Sequence, residues 1–181
     1  MYTDRLQDQV AALSRVAPPD LARCQEEHPW QDLPVKPMIY GPEEGEMISL
    51  GPTRTRFLAQ QSDTEQLSVT DSVLAPGFPG PVPHRHEHTF DVFFVVEGTV
   101  TFRLEGETRE LPAGSFVLVP PGNVHTFANP SYKPARLLNI MAPAGLEQYL
   151  KEVAAVAAKS GRPPDPREMA GIAARYDFQP A

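Results

Sequence analysis

Three of the chain's five histidines fall at alternate positions in one short stretch, His84, His86 and His88 in "PHRHEHTFDVFFVVEG", residues 83–98. Successive side chains of an extended strand point to opposite faces, so residues two apart share a face and aim at one point. His84 and His86 so placed make half of a metal site. An ion held by imidazole nitrogen at about 2.0–2.2 Å needs further donors that converge from other segments, typically a carboxylate and more histidines. Asp91 is the nearest carboxylate, set after the four-residue gap "EHTF", which is long enough to turn a corner. His125 supplies a donor from a different strand, between a Pro-Gly turn and an apolar strand end in "GSFVLVPPGNVHTFAN", residues 114–129. The expected metal ligands are therefore His84, His86, Asp91 and His125, with His88 in register with the first two if the strand continues.

These two segments resemble the two motifs of the cupin superfamily. The first motif runs His, any residue, His, three or four residues, an acid, six residues, Gly. The second runs Gly, five residues, Pro, one residue, Gly, two residues, His, three residues, Asn. This chain has His84, His86, Asp91 and Gly98 in the first, and Gly114, Pro120, Gly122, His125 and Asn129 in the second. The 15 residues between Gly98 and Gly114 equal the family's short intermotif spacing. The resemblance implies a six-stranded β-barrel of the double-stranded β-helix, or jelly-roll, type, with a divalent metal held inside by three histidines and one acid. From about Pro37 onward the layout is similar to single-domain bacterial cupins of the quercetin 2,3-dioxygenase type. That likeness includes an apolar helix after the barrel and the aromatic-acid pair Tyr176 and Asp177 in "RYDFQP".

Two positions depart from the family pattern. The acid is usually Glu, and Asp91 is shorter by one methylene, so its carboxylate reaches about 1.5 Å less far on bond-length grounds. The resemblance thus leaves open whether Asp91 ligates, or acts from behind the ligands with His88 as the substitute. Phe78 stands where the family's first-motif glycine is expected, between Gly77 and Gly80, which changes a turn rather than the chemistry.

Pattern and punctuation locate the elements that position these residues. A length of 181 residues suits one domain, and 21 prolines and 12 glycines favour many turns over long helices. Short runs rich in Val, Ile, Phe and Thr follow one another from Met38 to Met141, among them "PMIYG", "EMISLG", "TRTRFLAQ", "DVFFVVEG", "TVTFRLEGE", "SFVLVP" and "ARLLNIM". That spacing predicts a mainly β sandwich or barrel over residues 37–143. Residues 1–36 read as a helical segment, with Tyr2, Leu6, Val10, Leu13 and Val16 near helical spacing and Asp20 as the N-cap of a second short helix that Pro34 ends. Residues 144–181 read as C-terminal helices. Leu146, Tyr149, Leu150, Val153 and Ala157 make an apolar stripe, and Asp165, Pro166 and Glu168 form a capping box for the last helix.

The same parity describes a pocket. An inward Asp91 brings Phe93 and Val95 to its face, and His125 brings Phe127. Such a pocket is apolar and aromatic-lined, suited to a flat or hydrophobic organic molecule that offers one or two oxygens to the metal.

A net charge of -7 with scattered Lys and Arg argues against nucleic acid as a partner. The chain shows neither a leader-like start nor an apolar run long enough for a membrane span, so a soluble, cytoplasmic protein is expected. Cys24 has no second cysteine to pair with. The expected function is a metal-dependent dioxygenase that joins O2 to an enol- or hydroxyl-bearing aromatic or hydrophobic small molecule, with Asp91 as ligand and catalytic base. Iron, manganese, nickel or cobalt would serve, and the resemblance also implies a homodimer. Two alternatives stand beside it: a non-redox isomerase, cyclase or lyase using the metal as a Lewis acid, and a non-catalytic small-molecule-binding protein.

Overall fold

A computed structural model describes residues 35–181. The helical segment expected over residues 1–36 and the thiol of Cys24 fall almost wholly outside the described residues. Eleven strands and two helices follow: β1 (Glu46–Leu50), β2 (Thr53–Ala59), β3 (Ser68–Leu74), β4 (His84–Arg85), β5 (Phe90–Glu97), β6 (Thr99–Leu104), β7 (Glu107–Pro112), β8 (Phe116–Val119), β9 (His125–Ala128), β10 (Ala135–Ala142), α1 (Glu147–Ser160), α2 (Pro166–Ala173) and β11 (Gln179–Pro180).

Side-chain alternation explains the strands. In β2, Thr53, Thr55, Phe57 and Ala59 are buried while Arg54 faces out, and in β5 Asp91, Phe93 and Val95 are buried while Phe90 and Phe94 are exposed. The turn from β6 to β7 is a two-residue hairpin loop, with Leu104 opposite Glu107 and both Glu105 (φ 48) and Gly106 (φ 85) left-handed. This turn shape matches the natural twist of the flanking strands. The run "PMIYG" lies outside any ladder, because Pro37 and Pro42 cannot donate to one.

The strands form a jelly-roll of two facing sheets, ordered β1-β2-β3-β10-β5-β8 and β11-β4-β9-β6-β7. A closed six-stranded barrel is therefore not what forms. Hydrogen bonding stops at the outer strands of each sheet, and the sheets are held by the side chains between them. Leu74, Phe93, Val95, Val100, Phe102, Val119 and Leu137 make that core. One corner is stitched by Asn129, fully buried, whose amide donates to the carbonyls of Leu74, Ala75 and Lys133 while its backbone bridges to Phe78.

The C-terminal helices pack on the open side of the larger sheet. Tyr149 and Val153 of α1 and Ile172 of α2 bury against Met141 and Phe178. The helix α1 starts on Glu147, whose buried carboxylate accepts from Gly145 N at 2.7 Å and Gln61 N at 2.8 Å, and it stops at the left-handed Gly161. The expected capping box of α2 is present, with Asp165 accepting from Arg167 N and Glu168 N. After α2 the chain turns back through Tyr176 and Phe178 into β11, which pairs with β4. No helix among the described residues is long and apolar enough to cross a membrane.

Candidate metal centre

Four side chains meet between the sheets. The ladder of β4 and β9 sets His84 directly opposite His125, and His86 follows two positions on. Asp91 arrives from the other sheet, at the start of β5, where it pairs with Met141 on one side and Val119 on the other. All four residues are buried, and one ligand atom from each lies within 4.8 Å of the others. Asp91 Oδ2 is 3.3 Å from His86 Nε2 and 3.3 Å from His125 Nε2. Two donors each about 2.1 Å from a common ion stand roughly 3.0–3.4 Å apart for right-angle to tetrahedral geometry. The shorter acid therefore reaches, and it does so because β5 carries its backbone to the cluster. His88 does not take part. Its side chain is exposed, and its backbone N–H is held by Asp177.

The imidazoles are oriented from behind. Nδ1 of His84 lies 2.9 Å from Val82 O, Nδ1 of His86 bonds Asp177 O, and Nδ1 of His125 lies 3.2 Å from Asn123 O. A carbonyl only accepts, so a proton on each Nδ1 satisfies these contacts and leaves each Nε2 with a bare lone pair facing the others. His125 has a second option, since its Nε2 is also within reach of Asp91. A neutral ring carries one proton and serves one of the two. His86 Nε2 is buried with no hydrogen-bond partner, because its direction to Asp91 is poor for a hydrogen bond. Convergent lone pairs beside a carboxylate repel one another unless positive charge sits between them, and a divalent cation supplies it. The residues present fit such an ion.

The charge states of His84 and Asp91 agree, while His86 is drawn the other way by the carboxylate. Burial pushes His84 down to about 3, helped by the neighbouring His125, so its ring is neutral. Burial alone would raise Asp91, but His125, His86 and Asn139 hold its carboxyl at about 2. Burial opposes charge on His86, yet the Asp91 carboxylate beside it raises its pKa above the ordinary value.

Three contributors were not assigned from the sequence. Asn139 in β10 donates to Asp91 Oδ1 at 2.5 Å and to Val92 O at 3.1 Å. Its signal was a lone amide inside the apolar run "LLNIM". Asp177 receives the backbone of the corner between His86 and Asp91, and Phe178 stacks on His84 with centroids 4.1 Å apart and planes 16° apart. The pair Tyr176 and Asp177 stood out in the sequence without a role.

The cluster lies on the wall of a cavity of about 1180 Å³ that reaches His84, His86 and Asp91. Phe93, Phe127, Tyr149, Leu150 and Phe178 give it an aromatic and apolar lining. Val95 is not part of that lining. Parity does place it on the face of Phe93, but it lies further along β5, where Val100 and Leu137 close over it as core. Thr55, Thr70 and Ser72 add a row of hydroxyls that the parity argument did not foresee.

A family model described as "Cupin domain" matches residues 71–141, which include all four clustered side chains. Those residues are similar to a cupin domain. Quercetin 2,3-dioxygenase of Bacillus subtilis (strain 168) is 25% identical over 115 residues, covering 64% of this chain and 34% of that protein. The chain thus corresponds to about a third of the length of this curated relative. Among solved structures, KdgF from a Halomonas species superposes with TM-score 0.55 at 20% identity, covering 62% of this chain and 99% of that one. An RmlC-like cupin from Shewanella frigidimarina gives 0.54 at 24% identity over 62% and 96%. The polyketide cyclase RemF from Streptomyces resistomycificus gives 0.53 at 21% over 59% and 80%. These likenesses establish the cupin fold.

Proposed function

We propose that the protein is a metal-dependent dioxygenase of the quercetinase-like kind, acting with O2 on an enol- or hydroxyl-bearing aromatic or hydrophobic small molecule. One observation carries the reading: the buried cluster of His84, His86, Asp91 and His125 opens onto an aromatic-lined cavity large enough for such a molecule. The likeness to quercetin 2,3-dioxygenase supports it.

His84, His86, Asp91 and His125 would hold the ion. When bound, a divalent metal lowers the pKa of an oxygen that coordinates it and gives the substrate's enolate a path to react with O2. The three rings are oriented by their carbonyl partners, and the carboxylate of Asp91 is the negative charge the site itself supplies to an ion. Asn139 fixes Oδ1, so Oδ2 is the atom placed both to ligate and to take the hydroxyl proton as substrate binds. Phe93, Phe127 and Phe178 exclude water from the cavity and offer flat faces to an aromatic ring. Three imidazoles and a carboxylate accept iron, manganese, nickel or cobalt alike, with availability deciding among them.

The test is oxygen uptake by purified protein loaded in turn with Fe(II), Mn(II), Ni(II) and Co(II), over a panel of flavonols and related enols. Uptake matched by substrate loss supports the proposal. Turnover that persists without oxygen replaces it with isomerase, cyclase or lyase chemistry, and metal binding without any turnover replaces it with a small-molecule-binding role.

A further inference from the structure

The segment Asp177–Ala181 is far from the metal-ligand motifs in sequence, yet it builds the back of the site. Asp177 Oδ1 accepts from Glu87 N at 2.6 Å, and Oδ2 accepts from His88 N at 2.9 Å, Thr89 N at 2.8 Å and Thr89 Oγ1 at 2.8 Å. Those donors are the corner "EHT" between His86 and Asp91, so one carboxylate sets how far apart two of the four ligands stand. The backbone carbonyl of the same residue accepts from His86 Nδ1. Phe178 then lies flat between His84 and Tyr149, at 4.1 Å and 4.4 Å with planes 16° and 15° apart. Gln179 and Pro180 pair with Arg85 and His84, and Ala181 N donates to Pro83 O at 2.9 Å. Apart from the stacking on Tyr149, each contact falls on the strand that presents the histidines or on the residues flanking it.

We infer that Asp177 and Phe178 are positioning residues for the metal centre: the Asp177 carboxylate locks the corner and thereby holds its main-chain carbonyl against the Nδ1–H of His86, and Phe178 locks the ring plane of His84. A carboxylate that satisfies four donors holds the corner in one conformation, which a water-filled gap does not. Orienting partners behind metal-bound histidines typically contribute about 10–100-fold in affinity. The inference rests on the reading that the cluster takes a divalent ion, but its structural half can be tested without one.

The experiment compares wild type with Asp177→Ala, Phe178→Leu and Gln179→Ala in two measurements. The first is Co(II) affinity by competition with a coloured chelator. The second is the imidazole ¹⁵N spectrum of the metal-free protein at a pH where the rings are neutral, which reports the tautomer of each histidine. Asp177→Ala keeps the main-chain carbonyl that faces His86 Nδ1 but frees the corner and the segment that carry it, so it should weaken Co(II) binding about 10–100-fold and mix the tautomers of His86. Phe178→Leu should weaken binding by a smaller factor, leaving His86 unmixed. Gln179→Ala removes only exposed contacts to Arg85 and Glu87 and should change neither reading. If Asp177→Ala does not fold, Thr89→Val deletes one of the four donors and should weaken Co(II) binding about two- to tenfold. Unchanged tautomer and unchanged affinity in Asp177→Ala, or in Thr89→Val where that variant stands in, overturn the inference. Absence of Co(II) binding in wild type defeats the metal reading instead, and the His86 tautomer then decides whether the segment orients the ring.

Discussion

His84 and His125 are direct partners across the β4–β9 ladder, with ring centroids 4.4 Å apart, although β5, β6, β7 and β8 come between their two strands in the chain. A two-residue strand is enough to make that pairing because β11 covers its other edge. Replacing His125 with alanine removes one donor from a set of four, and His84→Ala removes its partner. Elemental analysis should show bound metal falling from stoichiometric toward zero in both. Full metal content in either variant refutes the four-residue site.

Besides the imidazoles, Asn139 supplies a side-chain hydrogen bond to Asp91. In Asn139→Leu a buried carboxylate oxygen loses its donor, which costs on the order of 1–3 kcal/mol. Denaturant unfolding of the metal-free protein should show that loss. Added metal should recover part of it, since a cation partly replaces the missing donor.

Glu147 ties the start of α1 to the loop at Gln61 and its pKa lies below the ordinary 4.5, because backbone donors outweigh the burial that would raise it. A depressed folded value means the carboxylate stabilises the fold above the unfolded pKa and stops doing so as pH falls through the folded one. Glu147→Gln should therefore be less stable than wild type at pH 7, by about 1–3 kcal/mol. The gap should narrow below pH 4.5. A gap that stays constant down to acid unfolding contradicts this role.

Gly80 and Gly77 both line the cavity with positive φ, but they differ in surroundings. A Cβ at Gly80 would stand 1.7 Å from Phe127 O, while one at Gly77 meets nothing within 4 Å. Gly77→Ala should cost about 1 kcal/mol from backbone strain alone. Gly80→Ala adds a collision with a main-chain atom and should cost at least twice as much, read as a larger fall in thermal midpoint.

Removing the cap of α2 in Asp165→Ala should cost about 0.5–2 kcal/mol. The loss should appear in global stability, because Ile172 and Phe178 share one apolar cluster with Met141 and Val153. Restoring the cap with Asp165→Ser should return most of it.

What could be read along the chain was local chemistry. The side chains that could bind a metal, the strands with alternating or continuous apolar runs, the apolar stripe of α1 and the capping box of α2 all depend on residues a few positions apart, whose geometry the backbone repeats. Even there, strands without an apolar face were harder to see: β7 is polar and largely exposed and β11 is too short to show a period, while β4 was legible from the alternation of its histidines.

Other features belong to tertiary structure, because each joins residues far apart in the chain. The two sheets stay open and are stitched at Asn129, and Asp91 rather than His88 faces the histidines because β10 and β8 flank it on both sides. Val95 is core and Phe178 is cavity wall for the same reason: what closes over a side chain is set by the facing element, not by its own strand. The sequence alone determined which atoms can bind a metal. Only the fold, by returning Asp177 and Phe178 to the back of His86 and His84, decided where those atoms point.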